Sequence, residues 1–431
     1  MGLYEVPPPP PTLYRRRMIK TLTIARVGHQ GDGIAESGDG PVFVPGALPG
    51  ETVSGEVHGG RMERFDLIEA SPDRQPIHSA AYAECGVAPM QHWADEPYLA
   101  WKREIVAMTL QREGIETEIE ATVATPPASR RRLALHARSG PDGGAILGFK
   151  ARRSWRLVEL TDCPVSDPRL TAALPALKRV AAPFLGHPKS APTLHVTLTD
   201  TGLDVDVTGV EKKSGGLTGD QRALAIAAAS QAGLARLSLD GEVLMMEHQP
   251  RVTFGRASVP LPPGGFLQAS PAAEVEMVSR AVEAVRGAKR VADLFCGAGT
   301  FTFPLAEVAT VTAADSSAAS IAALKAGVST ASGLKTITAQ ARDLFRRPLS
   351  PFDLKGVEAV VFDPPRAGAI EQTAQIARTG ASVVVGVSCN PATFARDARV
   401  LIDAGFRLER VTPVDQFLWS THVELVGVFR R

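Results

Sequence analysis

One cysteine, Cys389, stands where its chemistry can be used. It closely follows the valine-rich run Ser382–Val387, which predicts a buried strand. Asn390 and Pro391, directly after the cysteine, end that strand and open a turn. A thiol at this edge faces a cleft rather than a core, so Cys389 is a candidate nucleophile. The alternative is a buried, inert thiol, and the Asn-Pro turn argues against it.

Two further strand-to-loop junctions precede this cysteine. The sequence Asp363-Pro364-Pro365-Arg366 follows the apolar strand Val357–Phe362, and the glycine loop Asp293–Gly299 follows another apolar run. Glycines let the backbone approach a ligand, although many such loops are tight turns that bind nothing. The third glycine of the dinucleotide pattern is missing. Together with acids that end the next three strands, the loop favours S-adenosylmethionine; these acids are Asp315, Asp343 and Asp363.

The residue after the prolines separates the classes of methyltransferase. Enzymes that act on exocyclic amines carry an aromatic residue there, and DNA cytosine-C5 enzymes carry their cysteine there. This chain has Arg366 and places its cysteine one strand later. In this layout it resembles the RNA uridine-5-methyltransferases. The resemblance extends to a TRAM-like segment, a Phe-x-Gln element, the cysteine motif and a C-terminal motif ending in His-x-Glu, at Thr21–Val57, Gly265–Gln268, Ser388–Asp397 and Asp415–Glu424.

The resemblance implies roles for individual residues. Cys389 falls on the nucleophile, Glu424 on the base that removes the C5 proton, and Arg366 on a residue that orients the substrate or stabilises charge at a uracil carbonyl. Family members usually have asparagine at Thr300 and glutamate at Asp315, so this chain departs from the pattern at both. The implied S-adenosylmethionine-binding residues are Gln268, Phe295, Gly297, Thr300, Asp315, Asp343 and Asp363.

The fold class expected from these patterns is α/β. A doubly wound, Rossmann-like class I methyltransferase domain is predicted over residues 266–431. A small OB-type barrel of the TRAM kind is predicted over residues 19–72, and a mixed α+β, RNA-binding central domain over residues 73–265. Residues 1–18 are predicted to be a disordered, proline-rich basic tail, with an RNA-contacting arm as the alternative. Amphipathic helices are predicted over 95–113, packing on the catalytic domain, and over 271–286. The apolar residues at helical spacing are Trp101, Ile105 and Met108 in the first helix and Val275, Val278, Val282 and Val285 in the second.

Charge is distributed unevenly along a chain whose net charge is only +1. Between Ser129 and Arg156 there are eight basic residues against one acid, on either side of a glycine-rich turn. The segment predicts a hairpin with one cationic face, which suits an RNA backbone as well as it suits plain solvated surface. The predicted RNA-binding residues are Arg130, Arg131, Arg132, Lys150, Arg152 and Arg153.

The four cysteines are widely spaced and do not predict a disulfide framework. With no apolar run of membrane-spanning length and no signal peptide, the sequence predicts a reduced, cytoplasmic protein that does not contact a membrane, and we expect a monomer. Many members of the resembled family bind a four-iron four-sulfur cluster through four cysteines. Only Cys85 and Cys163 fall on those positions here, with Ser79 and Ala88 on the others. We therefore expect no iron-sulfur cluster and no other metal.

The function predicted from the sequence is S-adenosylmethionine-dependent transfer of a methyl group to C5 of a uridine in RNA. Ribosomal RNA of the large subunit is the favoured substrate, because the tRNA branch of the resembled family generally lacks a TRAM domain. The alternatives are a tRNA 5-methyluridine enzyme and a non-catalytic RNA-binding or RNA-folding protein on the same scaffold. RNA cytosine-5 methylation is a further alternative, against which Arg366 argues.

Overall fold

The computed structural model describes residues 19–79, 84–85, 87–141, 143–152, 154–213 and 215–431. The predicted tail over residues 1–18 lies outside the described residues, and so does Arg153. The chain forms two compact units, residues 1–75 and residues 76–431. The finer domain boundaries expected from the sequence, near residues 72 and 265, stay predictions.

The first unit consists of short antiparallel strands joined by glycine turns. Its strands are β1 (Ile19–Thr23), β2 (Arg26–Val27), β3 (Asp32–Ser37), β4 (Gly40–Pro45), β5 (Thr52–Glu56) and β6 (Asp66–Glu69). They pair as two three-stranded sheets, β1–β5–β6 and β2–β3–β4. Gly33 permits close packing, because a Cβ there would lie 2.7 Å from the carbonyl oxygen of Ala47. The assignment of this unit as a TRAM domain stays a prediction.

The middle of the chain is a mixed α+β region. Its elements are α1 (Asp95–Arg112), β7 (Glu118–Ile119), β8 (Arg132–Ser139), β9 (Ala145–Lys150), β10 (Leu157–Glu159), α2 (Pro168–Ala172), α3 (Leu174–Ala181), a 3₁₀ turn (Ala182–Leu185), β11 (Thr193–Thr199), β12 (Gly202–Thr208), α4 (Gly219–Gln231), β13 (Arg236–Leu239), β14 (Glu242–Met246), β15 (Arg251–Phe254) and β16 (Ala257–Pro260). Strands β8 to β14 form a sheet in the order β10–β9–β8–β11–β12–β13–β14, and β7 joins the C-terminal sheet instead. The predicted basic segment is therefore the antiparallel hairpin β8–β9.

The C-terminal part of the second unit is doubly wound, as predicted. Its elements are α5 (Pro271–Ala284), β17 (Arg290–Leu294), α6 (Thr302–Val308), β18 (Thr310–Asp315), α7 (Ala318–Val328), β19 (Ile337–Ala341), β20 (Ala359–Phe362), α8 (Ile370–Ile376), β21 (Val383–Ser388), α9 (Pro391–Asp403), β22 (Arg407–Val414) and β23 (Glu424–Arg430). The sheet order is β19–β18–β17–β20–β21–β23–β22–β7. Strands β17 to β21 are parallel, and β23 runs antiparallel to both its neighbours.

Successive residues of these strands point to opposite faces of the sheet, so each strand contributes to two cores. In β20, Val361 packs into the core that contains α5, α6 and α7, whereas Val360 packs into the one that contains α9. Both cores are filled by aliphatic side chains that are almost fully buried. Burial on both faces explains why these strands read as near-continuous apolar runs in the sequence.

Two helix predictions need correction at individual residues. Val275 was expected on the buried face of α5 with Val278, but it is 65% exposed, and the buried face carries Ala273 and Met277 instead. Met108 was expected on the apolar face of α1 and is 45% exposed, while Trp101 is buried there. Trp101 on α1 is buried as expected, and Val278 on α5 packs against the core. Helical periodicity of apolar residues therefore indicated both helices correctly but included one exposed residue on each.

Within the part of the chain that the structure describes, no helix has the length and apolar character needed to cross a membrane.

Candidate active site

Three carboxylates meet at the carboxyl edge of the parallel sheet. Asp315 is the last residue of β18, Asp343 follows β19 by two residues, and Asp363 follows β20 directly. The strands pair in the order β19–β18–β17–β20, so the acids lie along one edge, as the sequence predicted. This edge is where open α/β sheets bind their ligands.

The glycine loop after β17 is held open by Asp315. One carboxylate oxygen of Asp315 accepts a hydrogen bond from the Gly297 amide (3.0 Å) and the other from the Ser317 amide (2.7 Å). Gly297 has a φ of +54°, and a Cβ built on it would point into open space. A bare backbone beside a fixed carboxylate suits a ligand that carries ribose hydroxyls and a charged amino-acid tail. The residues present therefore fit S-adenosylmethionine.

Aromatic side chains flank the same loop. Phe295 adopts a φ of +61°, which is rare for a residue other than glycine, and its half-buried ring lies 5.5 Å from that of Phe345. Asp343 caps the turn that carries Phe345, accepting hydrogen bonds from the amides of Phe345 (3.0 Å) and Arg346 (3.2 Å). The pair provides an apolar wall on which a purine could pack. Thr300 lies half-buried in the same loop, and its assignment stays a prediction.

A buried pair below the glycine loop was not predicted. The Thr302 hydroxyl donates a hydrogen bond to Asp293 Oδ2, and the Asp293 side chain is fully buried. Burial raises the pKa of Asp293 to about 7, with the nearby charges of Asp363 and Asp315 acting in the same direction. The first residue of the glycine motif therefore fixes the start of α6 and adds negative potential below the loop. The position of Asp293 at the start of the DLFCGAG motif was the sequence feature from which this role could have been predicted.

A chain of side-chain hydrogen bonds links the cofactor edge to the predicted base. Gln268 Nε2 donates to Asp363 Oδ2 (2.9 Å), and Gln268 Oε1 accepts from Gln416 Nε2 (2.9 Å). Gln416 Nε2 also lies 3.3 Å from Glu424 Oε2, while its Oε1 accepts from the Ala269 amide (2.8 Å). The two glutamines are almost fully buried. Gln416 was not singled out from the sequence, although it belongs to the C-terminal motif.

The turn after β21 brings Cys389 beside the Asp-Pro-Pro-Arg loop. Asn390 caps α9 through its Oδ1, which accepts from the Ala392 amide (3.1 Å), and its Nδ2 donates to the Arg366 carbonyl (3.1 Å). Thr393 Oγ1 donates to the same carbonyl (3.2 Å). The Arg366 side chain is exposed, and it forms no hydrogen bond or ion pair with any other described residue. The two loops thus form one rigid rim, and the guanidinium stays available to a substrate.

The pKa values of the nucleophile candidate and of the two neighbouring carboxyl groups are all raised. Burial raises the pKa of the half-buried Cys389 thiol to about 11, and the charges of Glu424 and Asp363 add to that rise. Burial likewise raises the pKa of Glu424 to about 8 and that of Asp363 to about 7. Carboxyl groups whose pKa values are shifted toward neutral pH, as those of Glu424 and Asp363 are, are typical of acid–base sites.

The predicted RNA-binding residues that the structure describes do not lie together. Arg130 donates from Nε to the Arg132 carbonyl (2.8 Å), and its guanidinium lies 5.6 Å from the centre of the Phe417 ring. The others form two groups. Arg131 forms an ion pair with Glu274 and donates to the Gln268 carbonyl (3.0 Å), and Arg132 donates to the Leu267 carbonyl (2.8 Å). These two arginines hold the loop that carries Gln268 in place, and their assignment as RNA-binding residues stays a prediction. Burial lowers the pKa of Arg132 to about 10. The second group lies at the end of β9, with Lys150 Nζ 4.1 Å from the centre of the Trp155 ring.

The described residues around Cys85 and Cys163 make polar contacts. Ser79 Oγ donates to Asp162 Oδ1 (2.8 Å), and Cys163 Sγ lies 2.8 Å from Ser166 Oγ. Burial raises the pKa of the Cys85 thiol to about 11. Among the described residues no group of three or more His, Cys, Asp or Glu side chains could hold a metal ion.

We predict that the purified protein contains no iron-sulfur cluster. Two cysteines supply half of the thiolates that a four-iron cube needs, and Ala88 cannot supply another. Iron analysis and a visible spectrum after anaerobic purification check this prediction. Iron near four atoms per chain with a broad visible band would refute it.

Comparison with known proteins gives this site a family. The family described as tRNA (Uracil-5-)-methyltransferase matches residues 260–431. An uncharacterized RNA methyltransferase of Caulobacter vibrioides is 60% identical over 96% of this chain and 100% of its own length. The 23S rRNA (uracil(1939)-C(5))-methyltransferase RlmD of Halomonas elongata is 35% identical over 94% of this chain and 88% of its own. The chain belongs to the RNA (uracil-5-)-methyltransferase family.

A solved structure supports the fold. The tRNA (uracil-54, C5)-methyltransferase of Pyrococcus abyssi, in complex with S-adenosyl-L-homocysteine, superposes with a TM-score of 0.72 at 22% identity, covering 95% of this chain and 99% of its own. The predicted family and α/β fold class are confirmed. By its family, the chain is an RNA uracil methyltransferase.

Proposed function

We propose that this protein methylates C5 of a uridine in 23S ribosomal RNA, through a covalent bond between Cys389 and C6. The observation that carries the covalent part is the hydrogen-bonded chain Asp363–Gln268–Gln416–Glu424, which connects the cofactor edge to a buried carboxyl whose charge acts on Cys389. The rRNA part is supported by the 35% identity to RlmD over most of both chains.

Uracil chemistry explains why both a thiol and a carboxylate are needed. C5 of uracil is a weak nucleophile. When Sγ of Cys389, having lost its proton to solvent, adds to C6, the electrons of the C5=C6 bond move toward the C4 carbonyl and make C5 nucleophilic. S-adenosylmethionine supplies an electrophilic methyl group when bound. Residues that would hold it are Gly297, Asp315 and Asp343, with Phe295 against the purine.

The second half of the reaction belongs to Glu424. After methyl transfer C5 carries both a methyl group and a proton. Glu424 accepts that proton, the C–H electrons re-form the C5=C6 bond, and the C6–S bond breaks to release Cys389. Arg366, exposed on the rim beside Cys389, is proposed to stabilise the charge that develops on a uracil carbonyl. The Gln416 amide orients the carboxyl that accepts the proton.

The target is tested by mapping 5-methyluridine in RNA from cells with and without this protein. We expect one uridine of 23S rRNA to lose its C5 methyl group in the deletion strain and to regain it with wild-type protein but not with the Cys389→Ala variant. Loss of the methyl group from a tRNA instead would assign the protein to the tRNA alternative. Unchanged modification of both RNAs would contradict an enzymatic role in either.

RNA affinity is proposed to come partly from the end of β9. Lys150 and Trp155 are exposed there, and Trp155, at 86% exposure, offers a ring on which an unpaired base can stack. Arg152 is half-buried beside them. Since the net charge is near zero, a local patch must attract the RNA.

We predict that Lys150→Gln with Arg152→Gln weakens binding to target and non-target RNA about equally. The slope of log Kd against log salt should fall by about 1 to 2, because each lost phosphate contact removes about 0.7 to 0.9. Filter binding at several salt concentrations measures it. The control is Lys212→Gln with Arg222→Gln, which removes two paired cations elsewhere, one exposed and one half-buried. Equal slopes in the two double variants would show that the β9 end is plain solvated surface.

A further inference from the structure

Helix α1 carries a lysine that is buried in full. Lys102 has no exposed side-chain surface, and its ammonium finds an acceptor for each of its three protons. The acceptors are the Asp415 carboxylate, the His422 carbonyl (2.6 Å) and the Phe417 carbonyl (3.3 Å). All of them belong to the segment Asp415–Val423, which joins β22 to β23 and directly precedes Glu424, the first residue of β23. An ammonium at the centre of a loop in this way fixes the loop's shape.

Other residues from the N-terminal half of the chain anchor the same segment. The Tyr98 hydroxyl lies 3.2 Å from Asp415 Oδ1 and 3.3 Å from the Ser420 carbonyl oxygen, and it is also fully buried. Thr125 Oγ1 donates to the Asp415 carbonyl, and the Met90 amide donates to the Trp419 carbonyl (3.0 Å). The anchors come from residues 90–125, which lie outside the segment 260–431 matched by the family.

The anchored segment holds the base in two ways. Gln416, next to Asp415, makes the contact to Glu424 Oε2 and to Gln268. Lys102 also acts on Glu424 through its charge, which opposes the rise in the Glu424 pKa that burial and Asp363 cause. The groups that act on the Glu424 carboxyl are thus Asp363, Lys102 and the Gln416 amide, and Cys389 feels the carboxyl in turn.

We propose that Lys102 is a positioning residue for Glu424: it holds the Asp415–Val423 segment so that the Gln416 amide orients the Glu424 carboxyl toward the C5 proton. This inference rests on the proposed covalent function. A buried ion pair with only a structural role is the competing explanation, and the chain offers a matched example. Arg236 and Asp204 form such a pair, with Nε–Oδ1 and Nη2–Oδ2 distances of 2.8 Å and 2.7 Å, between β13 and β12.

The test compares Lys102→Met with Arg236→Met in single-turnover reactions with RNA and S-adenosylmethionine. We expect Lys102→Met to transfer the methyl group but to release RNA about 10- to 100-fold more slowly. This effect is smaller than the roughly 10²- to 10⁴-fold loss on removing a general base, because the base is displaced and not removed. Methylated RNA should accumulate on the protein as an adduct that survives denaturing gels. The rate of adduct resolution should rise with pH as Glu424 ionises, and this ascending limb of the pH–rate profile should move to higher pH. The reason is that the variant lacks the ammonium that favours the ionised Glu424 carboxylate. Arg236→Met should lower stability without an adduct or a shifted limb.

Three outcomes overturn the proposal. The first is a Lys102→Met enzyme that behaves like Arg236→Met, with no adduct and an unmoved limb. The second applies if Lys102→Met does not fold, in which case Tyr98→Phe, which removes one hydroxyl, replaces it. This variant should move the ascending limb of the pH–rate profile and the adduct level in the same direction as expected for Lys102→Met, by a smaller amount. No change in either rejects the positioning role. The third is the absence of an adduct with Glu424→Gln itself, which rejects Glu424 as the base and the positioning role together. An adduct with Glu424→Gln and none with Lys102→Met rejects the positioning role alone.

Discussion

Replacing Cys389 by alanine is expected to reduce methyl transfer to RNA by on the order of 10⁴-fold or more, since nucleophile removal has effects of that size. Without Sγ, no bond to C6 forms and C5 never becomes nucleophilic. S-adenosylmethionine should bind with nearly the wild-type Kd, because Cys389 lies in the turn after β21, on the rim formed with Arg366, whereas Gly297 and Asp315 form the cofactor edge. Methyl transfer from labelled cofactor and calorimetric binding measure the two effects.

The control for this variant is Cys163→Ala, which removes another buried thiol outside the proposed site. It should keep turnover while losing some stability. Residual activity of Cys389→Ala near the wild-type level would contradict covalent catalysis. Loss of cofactor binding together with activity would instead mean that the thiol supports the glycine loop.

Glu424→Gln is expected to slow turnover by about 10²- to 10⁴-fold and to stop the reaction late rather than early. The amide keeps the shape of the side chain and its contact with Gln416 but cannot accept the C5 proton. The methylated uridine should therefore stay attached to Cys389, and denaturing gels with labelled RNA should show a slow band. Slow turnover with no such band would place the base elsewhere.

The pH dependence of this step follows from the raised pKa of Glu424, about 8. The carboxyl must be ionised to accept a proton, so adduct resolution should rise with pH through about 8 and then level, and this limb should vanish in Glu424→Gln. Stability should change in the opposite direction. The folded pKa lies above the unfolded value of 4.5, so the stabilisation from this group is complete below about 4.5 and is lost as pH rises through about 8. Urea unfolding of the cofactor-free protein across this range, with Glu424→Gln as the comparison, measures it.

The catalytic sheet could be read from the sequence because its strands are buried on both faces. Runs such as Val383–Ser388 are apolar throughout, and each ends at a polar residue that the topology brings to one edge. Asp315 and Asp363 were predictable for that reason, whereas Asp343 follows the edge strand β19, which is partly exposed. Cys389 was predictable because Asn-Pro marks the end of a strand without ambiguity.

Other features depend on contacts between residues distant in the chain. Lys102 reads as an ordinary polar position on α1, and only tertiary contacts show that it lies against Asp415. Arg131 and Arg132 looked like free cations, but Glu274 and a main-chain carbonyl are their partners, from a segment some 140 residues later. Val275 was misplaced because burial on α5 is decided by how closely the helix approaches β23. No local pattern carries that information.

The central claim, covalent attack by Cys389 on uridine C6, is tested most directly with RNA in which the target uridine carries fluorine at C5. Glu424 can remove a proton from C5 but no base can remove fluorine as a cation, so the adduct should persist after methyl transfer. Mass spectrometry of the digest should show the tryptic peptide 379–396 heavier by a methylated fluorouridine attached to Cys389. Methylation of ordinary RNA by the same preparation, with no adduct on that peptide when the fluorinated RNA is used, would contradict the account.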